Sequence, residues 1–325
     1  CIYNGVPIQT IERVWAMMLS FDGYSFCKPH SASYAMVSFQ SAYLKTHHPA
    51  YFLAAVLTNQ GGYYHEGAYV SEARRMGLIV EGPDLNRSQR AYVASGNTII
   101  VGLMAIATLS ERAILQIIRE RAESGTFNSL EEAVSRLHLG REEWQSLSQS
   151  GALDALAPGT RRSDQLRVVL TTVCEGHKDA QLELFGQSSE VPLVRLPPAR
   201  RTLEELQAEF ETLGFLRNAH PLILYATHLQ GIRRILAKNL PGHVGGRVTL
   251  VGCPIAVKRV FTSAREVMAF FSFEDETALF ETVLFPEVYR RHERLLGSAR
   301  PLVIQGVVES DEGALTVKVD RLSSL

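Results

Sequence analysis

A surplus of one charge is missing from this chain. Across 325 residues, 33 Lys and Arg face 34 Asp and Glu, a formal net charge of -1. Binding to nucleic acid by overall attraction calls for a basic balance, so any such contact must rest on local patches or on a partner. Long uncharged apolar runs are also missing, as is a basic-then-apolar leader. Their absence speaks against a membrane span and a secretory signal and predicts a cytoplasmic protein with no membrane partner. Cysteine is scarce: Cys1, Cys27, Cys174 and Cys253 stand far apart without a paired spacing, which fits reduced thiols and argues against a zinc site. The ten histidines give no metal pattern either. Adjacent His47 and His48 project about 100° apart on a helix, and neither has a His at i+4. What remains is an ordinary globular composition, 46% hydrophobic and 21% charged, in a chain long enough for two or three cores.

Punctuation divides the chain. From Ile8 to about Asn59 the pattern is helical: Ile8, Ile11, Trp15 and Met18 mark one stripe, and a helix from about Ser31 to His47, apolar on most sides, reads as mostly buried. Pro49 suits the first turn of the next helix, Ala50 to Leu57. A helix Ala68 to Met76 and short strands around Gly77 to Val80 and Asn97 to Val101 follow, and then helices to about Val173. Ser129-Leu130-Glu131-Glu132 and Thr202-Leu203-Glu204-Glu205 are capping boxes, and Leu203, Leu206, Phe210 and Leu213 form a helical stripe stopped by Gly214. The last portion changes period. Five strands (Arg247 to Val257, Glu266 to Glu274, Ala278 to Phe285, Pro301 to Glu309, Ala314 to Arg321), with a helix Pro286 to Arg294 between the third and fourth, predict an OB-fold barrel. In the second strand Val267, Ala269, Phe271 and Phe273 form the core set, and Met268, Phe270, Ser272 and Glu274 point outward. Phe270 is then a candidate stacking platform for single-stranded DNA, helped by Arg247, Lys258, Arg259 and Arg265; the competing reading is ordinary strand packing. Glu274-Asp275-Glu276 and Asp311-Glu312 read as solvated hairpin turns.

Between the helical and strand portions, Gln181-Leu182-Glu183-Leu184-Phe185-Gly186 places two large apolar side chains inside a polar segment ending in a Pro-bearing run, Val191 to Pro198. Large apolar groups there suggest either a partner's pocket or a short element packed on its own protein.

Longer motifs carry a resemblance. Gly23-Tyr24-Ser25-Phe26-Cys27-Lys28-Pro29-His30-Ser31-Ala32-Ser33-Tyr34-Ala35 and Ser38 to Phe52 resemble the fingers signature of the bacterial DNA polymerase III alpha subunit, a C-family DNA polymerase. Gly82-Pro83-Asp84-Leu85-Asn86-Arg87-Ser88, Ser150-Gly151-Ala152-Leu153-Asp154, Leu213-Gly214-Phe215 with His220-Pro221-Leu222, and Val283-Leu284-Phe285-Pro286-Glu287-Val288-Tyr289 are similar to later segments of that family, in the same order. The peptide Gln181, Leu182, Leu184, Phe185 resembles the one with which such polymerases grip the ring-shaped sliding clamp.

The resemblance implies a multidomain, mainly α N-terminal part followed by an all-β OB-fold barrel. Residues 1–95 would be fingers, 96–173 a helix-hairpin-helix region, 174–201 a linker with the clamp peptide, 202–240 a helical connector and 241–325 the barrel. It implies DNA-directed DNA polymerization in replication, with primer-template DNA, dNTP, the sliding clamp and other replicase subunits as partners. Lys28 and His30 would contact nucleotide or DNA; Lys28 read alone is a solvated residue ahead of a helix. The family's metal-binding Asp-x-Asp is absent, so the catalytic carboxylates and their Mg2+ are expected in a palm outside this segment, and a start at Cys1 in a mid-protein region predicts a piece of a longer protein. The chain departs from the pattern at Cys27 and Pro29. It departs again at Ile106-Ala107-Thr108-Leu109-Ser110-Glu111, where the family's Gly-x-Gly hairpin has lost both glycines, so this hairpin is expected to serve as scaffold rather than as phosphate grip. The alternatives are an error-prone relative of the same subunit, serving repair or translesion synthesis, and a non-catalytic OB module binding single strands or proteins.

Overall fold

A computed structural model of the chain describes residues 5–25, 28–176, 201–297 and 300–325. Four helices lead: α1 (Ile8–Ser25), α2 (Lys28–His47), α3 (Pro49–Thr58) and α4 (Glu66–Arg75). Pro49 starts α3 as its ring geometry favours. A small sheet follows, β1 (Ile79–Glu81), β2 (Val93–Ser95) and β3 (Thr98–Ile100), ordered β1-β3-β2 with β1 parallel and β2 antiparallel to β3. Strand β2, which no expected strand covers, returns into β3 through Gly96 at φ 57°. Next come α5 (Glu111–Ser124), α6 (Leu130–Arg136), α7 (Arg141–Ser150), α8 (Arg162–Gly176), α9 (Leu203–Leu213) and the single turn α10 (Ala226–Leu229).

Capping follows the sequence signals. Ser129 accepts the Glu132 amide, and Thr202 and Glu205 exchange both bonds of a capping box at 3.2 Å. From α3 to Phe215 these elements share one core, with Leu53, Leu85, Ile99, Ile117, Trp144, Leu153 and Phe215 fully buried.

The remainder is a closed barrel with its own core. Strands β4 (Arg247–Phe261), β5 (Val267–Glu274), β6 (Leu279–Leu284), β7 (Leu302–Asp311) and β8 (Ala314–Ser324) run in the order β4-β5-β6-β8-β7, with α11 (Pro286–Leu296) between β6 and β7. Every pairing is antiparallel except β6 with β8, and β4 closes the circle by pairing with β7 over Arg247–Gly252 and with β5 over Cys253–Phe261. A bulge between Pro254 and Ala256 bends β4 from one partner to the other, a place where a strand tolerates proline. That order, with its parallel closure and helix placement, is the OB-fold barrel that the strand spacing predicts. Ala269, Phe271 and Phe273 fill it as expected, the two rings stacked 5.8 Å apart.

Two expectations at this end of β5 are corrected. Ser272 and Glu274 belong to the outward set but are buried, because the helical body covers that end of the strand. Arg75 of α4 meets Glu274 at 2.5 Å, and the Tyr64 phenol faces Ser272; burial first, and then the Glu281 carboxylate, push that phenol above its ordinary range. The acidic turn at Glu274-Asp275-Glu276 is solvated only at Glu276, which is exposed and paired with Arg234. Asp275 is 1% exposed and accepts the amides of Ala237, Thr277 and Ala278 at 2.6–3.0 Å. Asp311 and Glu312 are exposed, as a hairpin turn predicts.

Candidate nucleic-acid interface

Lys28 and His30 open α2, and both side chains are exposed. The His30 ring meets Tyr34 one turn on, edge to face, at 4.6 Å between centroids. The mostly buried helix expected here is corrected: α2 buries none of its residues and turns Tyr34, Met36, Val37, Phe39 and Tyr43 outward, Phe39 being 77% exposed. On α1, Trp15 and Met18 of the predicted stripe are exposed as well. Periodicity records which side chains favour cover, not whether the covering partner lies in the same stretch of chain. The C-terminal end of α2 is anchored, Lys45 reaching Glu72 of α4 at 3.2 Å. Gln181, Leu182, Leu184 and Phe185 lie outside the described residues.

The hairpin before α5 keeps the backbone of a glycine without the glycine. Thr108 sits at φ 64°, where a β-branched residue is strained by about 1–3 kcal/mol. Its hydroxyl meets that of Ser146 at 2.5 Å, and the preceding amide of Ala107 donates to the Thr212 carbonyl at the end of α9 (2.9 Å). Ser110 caps α5 and donates to Glu143, while Glu111 is paired with Arg90. An amide already bonded to protein, flanked by two carboxylates, is ill placed to receive a phosphate. Thr108→Gly should therefore leave duplex-DNA affinity within about twofold of the parent in an anisotropy titration, a tenfold change being about 1.4 kcal/mol. A tenfold gain would make the hairpin a grip held back only by its side chain.

The Ser150 to Asp154 motif meets residues flanking Leu213-Gly214-Phe215 in an ionic network. Asp154 accepts Arg217 at 2.6 Å and Arg162 at 3.1 Å. Burial pushes its carboxyl up, but the two guanidiniums hold it below the ordinary carboxylate range. Glu209 of α9, fully buried, accepts Arg201 at 2.6 Å, Arg162 at 2.9 Å, Arg217 at 3.2 Å and the Arg217 amide at 2.6 Å. Gly151 admits this cluster: at φ 80°, a Cβ there would lie 2.1 Å from Arg162 Nη2 and 2.6 Å from Arg217 Nη2. Gly151 and Asp154, together with Arg162, Glu209 and Arg217, thus fasten α9 to α7 and α8. Carboxylates so engaged do not fit a two-metal centre. Among the described residues no group of three or more His, Cys, Asp or Glu converges as metal ligands.

On the barrel the predicted contacts separate. Lys258 pairs in register with Phe270, so both lie on the outer face, Phe270 being 40% exposed. Arg247 is at the other end of β4, engaged by Asp320 at 2.9 Å. Arg259 pairs with buried Ala269, so it projects to the opposite side from Lys258 and Phe270 and donates through Nε to the Tyr289 hydroxyl of α11 at 2.9 Å. Adjacent strand residues cannot share a face, so the expected group of cations divides, with Arg265 in the turn between β4 and β5 at φ 60°. The sequence reading also missed Phe261, 75% exposed at the end of β4. The alternation Val257, Arg259, Phe261 running past the predicted strand end was its signal. Cys253 is inert: burial, then Glu274 and Glu276, push its thiol up to about 12.

Comparison with known proteins adds the lineage. The helix-hairpin-helix motif family matches residues 77–164. A DNA polymerase III subunit alpha from Thermus aquaticus is 32% identical over 95% of this chain and 26% of its own length, and one from Deinococcus radiodurans is 30% identical over 99% and 26%. An error-prone DNA polymerase from Mycobacterium bovis is 30% identical over 99% of this chain and 29% of its own length. A replication protein A domain from Methanococcus maripaludis shares 15% identity over 25% of this chain and 86% of that one, at a TM-score of 0.21; the barrel assignment rests on strand order instead. The chain spans 26–29% of the length of these polymerase relatives. Among its described residues no helix is long and apolar enough to cross a membrane. Along nearly its whole length, the chain is homologous to a segment of the bacterial DNA polymerase III alpha subunits and error-prone DNA polymerases.

Proposed function

We propose that this chain works within a longer C-family polymerase, where it contributes fingers, clamp tether and OB barrel to template-directed DNA synthesis. The observation that carries this reading is collinear similarity over 95–99% of the chain to proteins named as DNA polymerases. The exposed apolar faces of α1 and α2 fit the reading, as surfaces for the rest of such an enzyme. Magnesium belongs on carboxylates outside this segment, because Asp154, Glu209 and Asp275 are committed to arginines and amides. Lys28 and His30 face nucleotide or DNA, and Lys258 with Phe270 offers a single strand one cation and one stacking ring. A replicative role fits the clamp peptide. An error-prone role is favoured by relatives of that name at the same identity.

Primer extension by the full-length protein with dNTPs and magnesium tests the polymerase reading, and absence of template-directed product in an intact preparation would overturn it. For the barrel, binding of single strands should weaken as salt rises. Replacing Lys258 and Phe270 together by Ala should reduce affinity about tenfold, since one base–aromatic stack is worth about 1–3 kcal/mol. Parent-like affinity would move the contact elsewhere.

A further inference from the structure

The β4–β5 hairpin extends beyond the barrel as an arm with two unlike faces. One carries Lys258 and Phe270. The other carries Arg259 and Phe261, and it turns toward α11. From Arg259, Arg265, Arg290, Arg294, Arg321 and Phe261 we infer a second nucleic-acid track, running over α11 and the underside of this arm, where Phe261 stacks a base and the arginines hold phosphates of a single strand. The inference goes beyond the reading above and does not need the outer face.

Contacts bring these residues together. The Tyr289 hydroxyl accepts Arg259 Nε and holds that guanidinium beside α11, its terminal nitrogens meeting no acidic partner among the described residues. Arg290 meets Glu266 at 3.3 Å, which ties the arm's turn to the helix. The Leu322 amide donates to His292 Nε2 at 3.4 Å, which brings the end of β8, and with it Arg321, against α11. Arg290 and Arg294 lie one turn apart on the exposed face of α11, about 6 Å along its axis.

Charge on this side is unlike that of the chain. Six arginines, those above and Arg291, face Glu266, Glu287 and Glu293, whereas the whole chain carries -1. Two of the glutamates are already engaged, Glu266 by Arg290 and Glu287 by Arg291, and Asp320 beside Arg321 is held by Arg247. Among the described residues Arg265, Arg294 and Arg321 have no acidic partner within ion-pair distance. The local field is consistent with this: burial, then Arg291 and Arg321, hold His292 below the ordinary imidazole range. An aromatic ring 75% open to solvent, on the side of the arm that carries Arg259 and turns toward the arginines of α11, matches a base with its flanking phosphates better than a run of carboxylates alone, which offers nothing to stack.

The test uses the 325-residue chain and a fluorescein-labelled oligothymidylate of about 20 nucleotides, followed by anisotropy across a salt series. Replacing Arg290, Arg294 and Arg321 together by Ala should lower the slope of log affinity against log salt by about 2, at roughly 0.7 per lost phosphate contact. Phe261→Ala should weaken binding about tenfold with the slope unchanged. All four side chains are exposed, so unchanged thermal melts should accompany both variants. If the triple variant and Phe261→Ala bind like the parent while the Lys258 and Phe270 double variant is impaired, this track is wrong and the outer-face reading stands. If the reverse holds, the track stands and the outer-face reading falls. Loss in both sets supports both, and loss in neither overturns both.

Discussion

Glu209→Ala should destabilise the helical body by about 3–5 kcal/mol, the usual consequence of removing one partner from a buried ionic cluster. The carboxylate is fully buried and neutralises Arg162, Arg201 and Arg217, which would otherwise face one another around Asp154 alone. Mutual repulsion already contributes: burial lowers the Arg201 guanidinium first, and Arg217 lowers it next. The comparison that isolates charge from shape is Glu209→Gln, which keeps an acceptor and the volume and should lose less than the Ala variant. Urea unfolding followed by Trp144 fluorescence reports the body, because that indole is buried there, while the barrel contains no tryptophan. A loss below about 1 kcal/mol would show that the cluster relaxes at little cost and that Gly151 and Glu209 do not fasten α9.

Truncating Leu184 and Phe185 together to Ala should weaken binding to the cognate sliding clamp by about 2–4 kcal/mol, as expected when buried apolar anchors are removed. That corresponds to roughly 30- to 1,000-fold in dissociation constant. Calorimetric titration with the clamp reads the loss, and a thermal melt of each form decides between the two readings of the peptide. Unchanged clamp affinity would remove the tether from the proposed function. A fall in melting temperature would instead mark the two side chains as packed on their own protein.

Much of the fold was legible because its signals are local. Alternation in Val267 to Glu274 gave both the strand and its inner face, and the Thr202 capping box located the start of α9 within a residue. What failed depended on distant partners. The apolar stripe of α9 suggested Leu203 as a core residue, yet Leu203 is 55% exposed and Glu209 is fully buried, since three arginines from other elements compensate the charge. Burial of Ser272 and Glu274 required Tyr64 and Arg75, some 200 positions earlier. The loss of the hairpin glycines could be read directly, but not that Thr212 would occupy the amide of Ala107. The division of Lys258 from Arg259 follows from strand parity, but only because β4 runs on to Phe261, past the expected strand end at Val257.

The docking of β5 on α4 sets a boundary on traffic along the barrel. A polymer laid across Phe270 finds open surface toward Met268 and the arm's tip, but in the other direction it runs into Tyr64, Arg75 and the closed Ser272–Glu274 end. The outer face is therefore a cul-de-sac: a strand lying along β5 has its free course toward the hairpin, where Phe261 stands at the turn between the two sides of the arm.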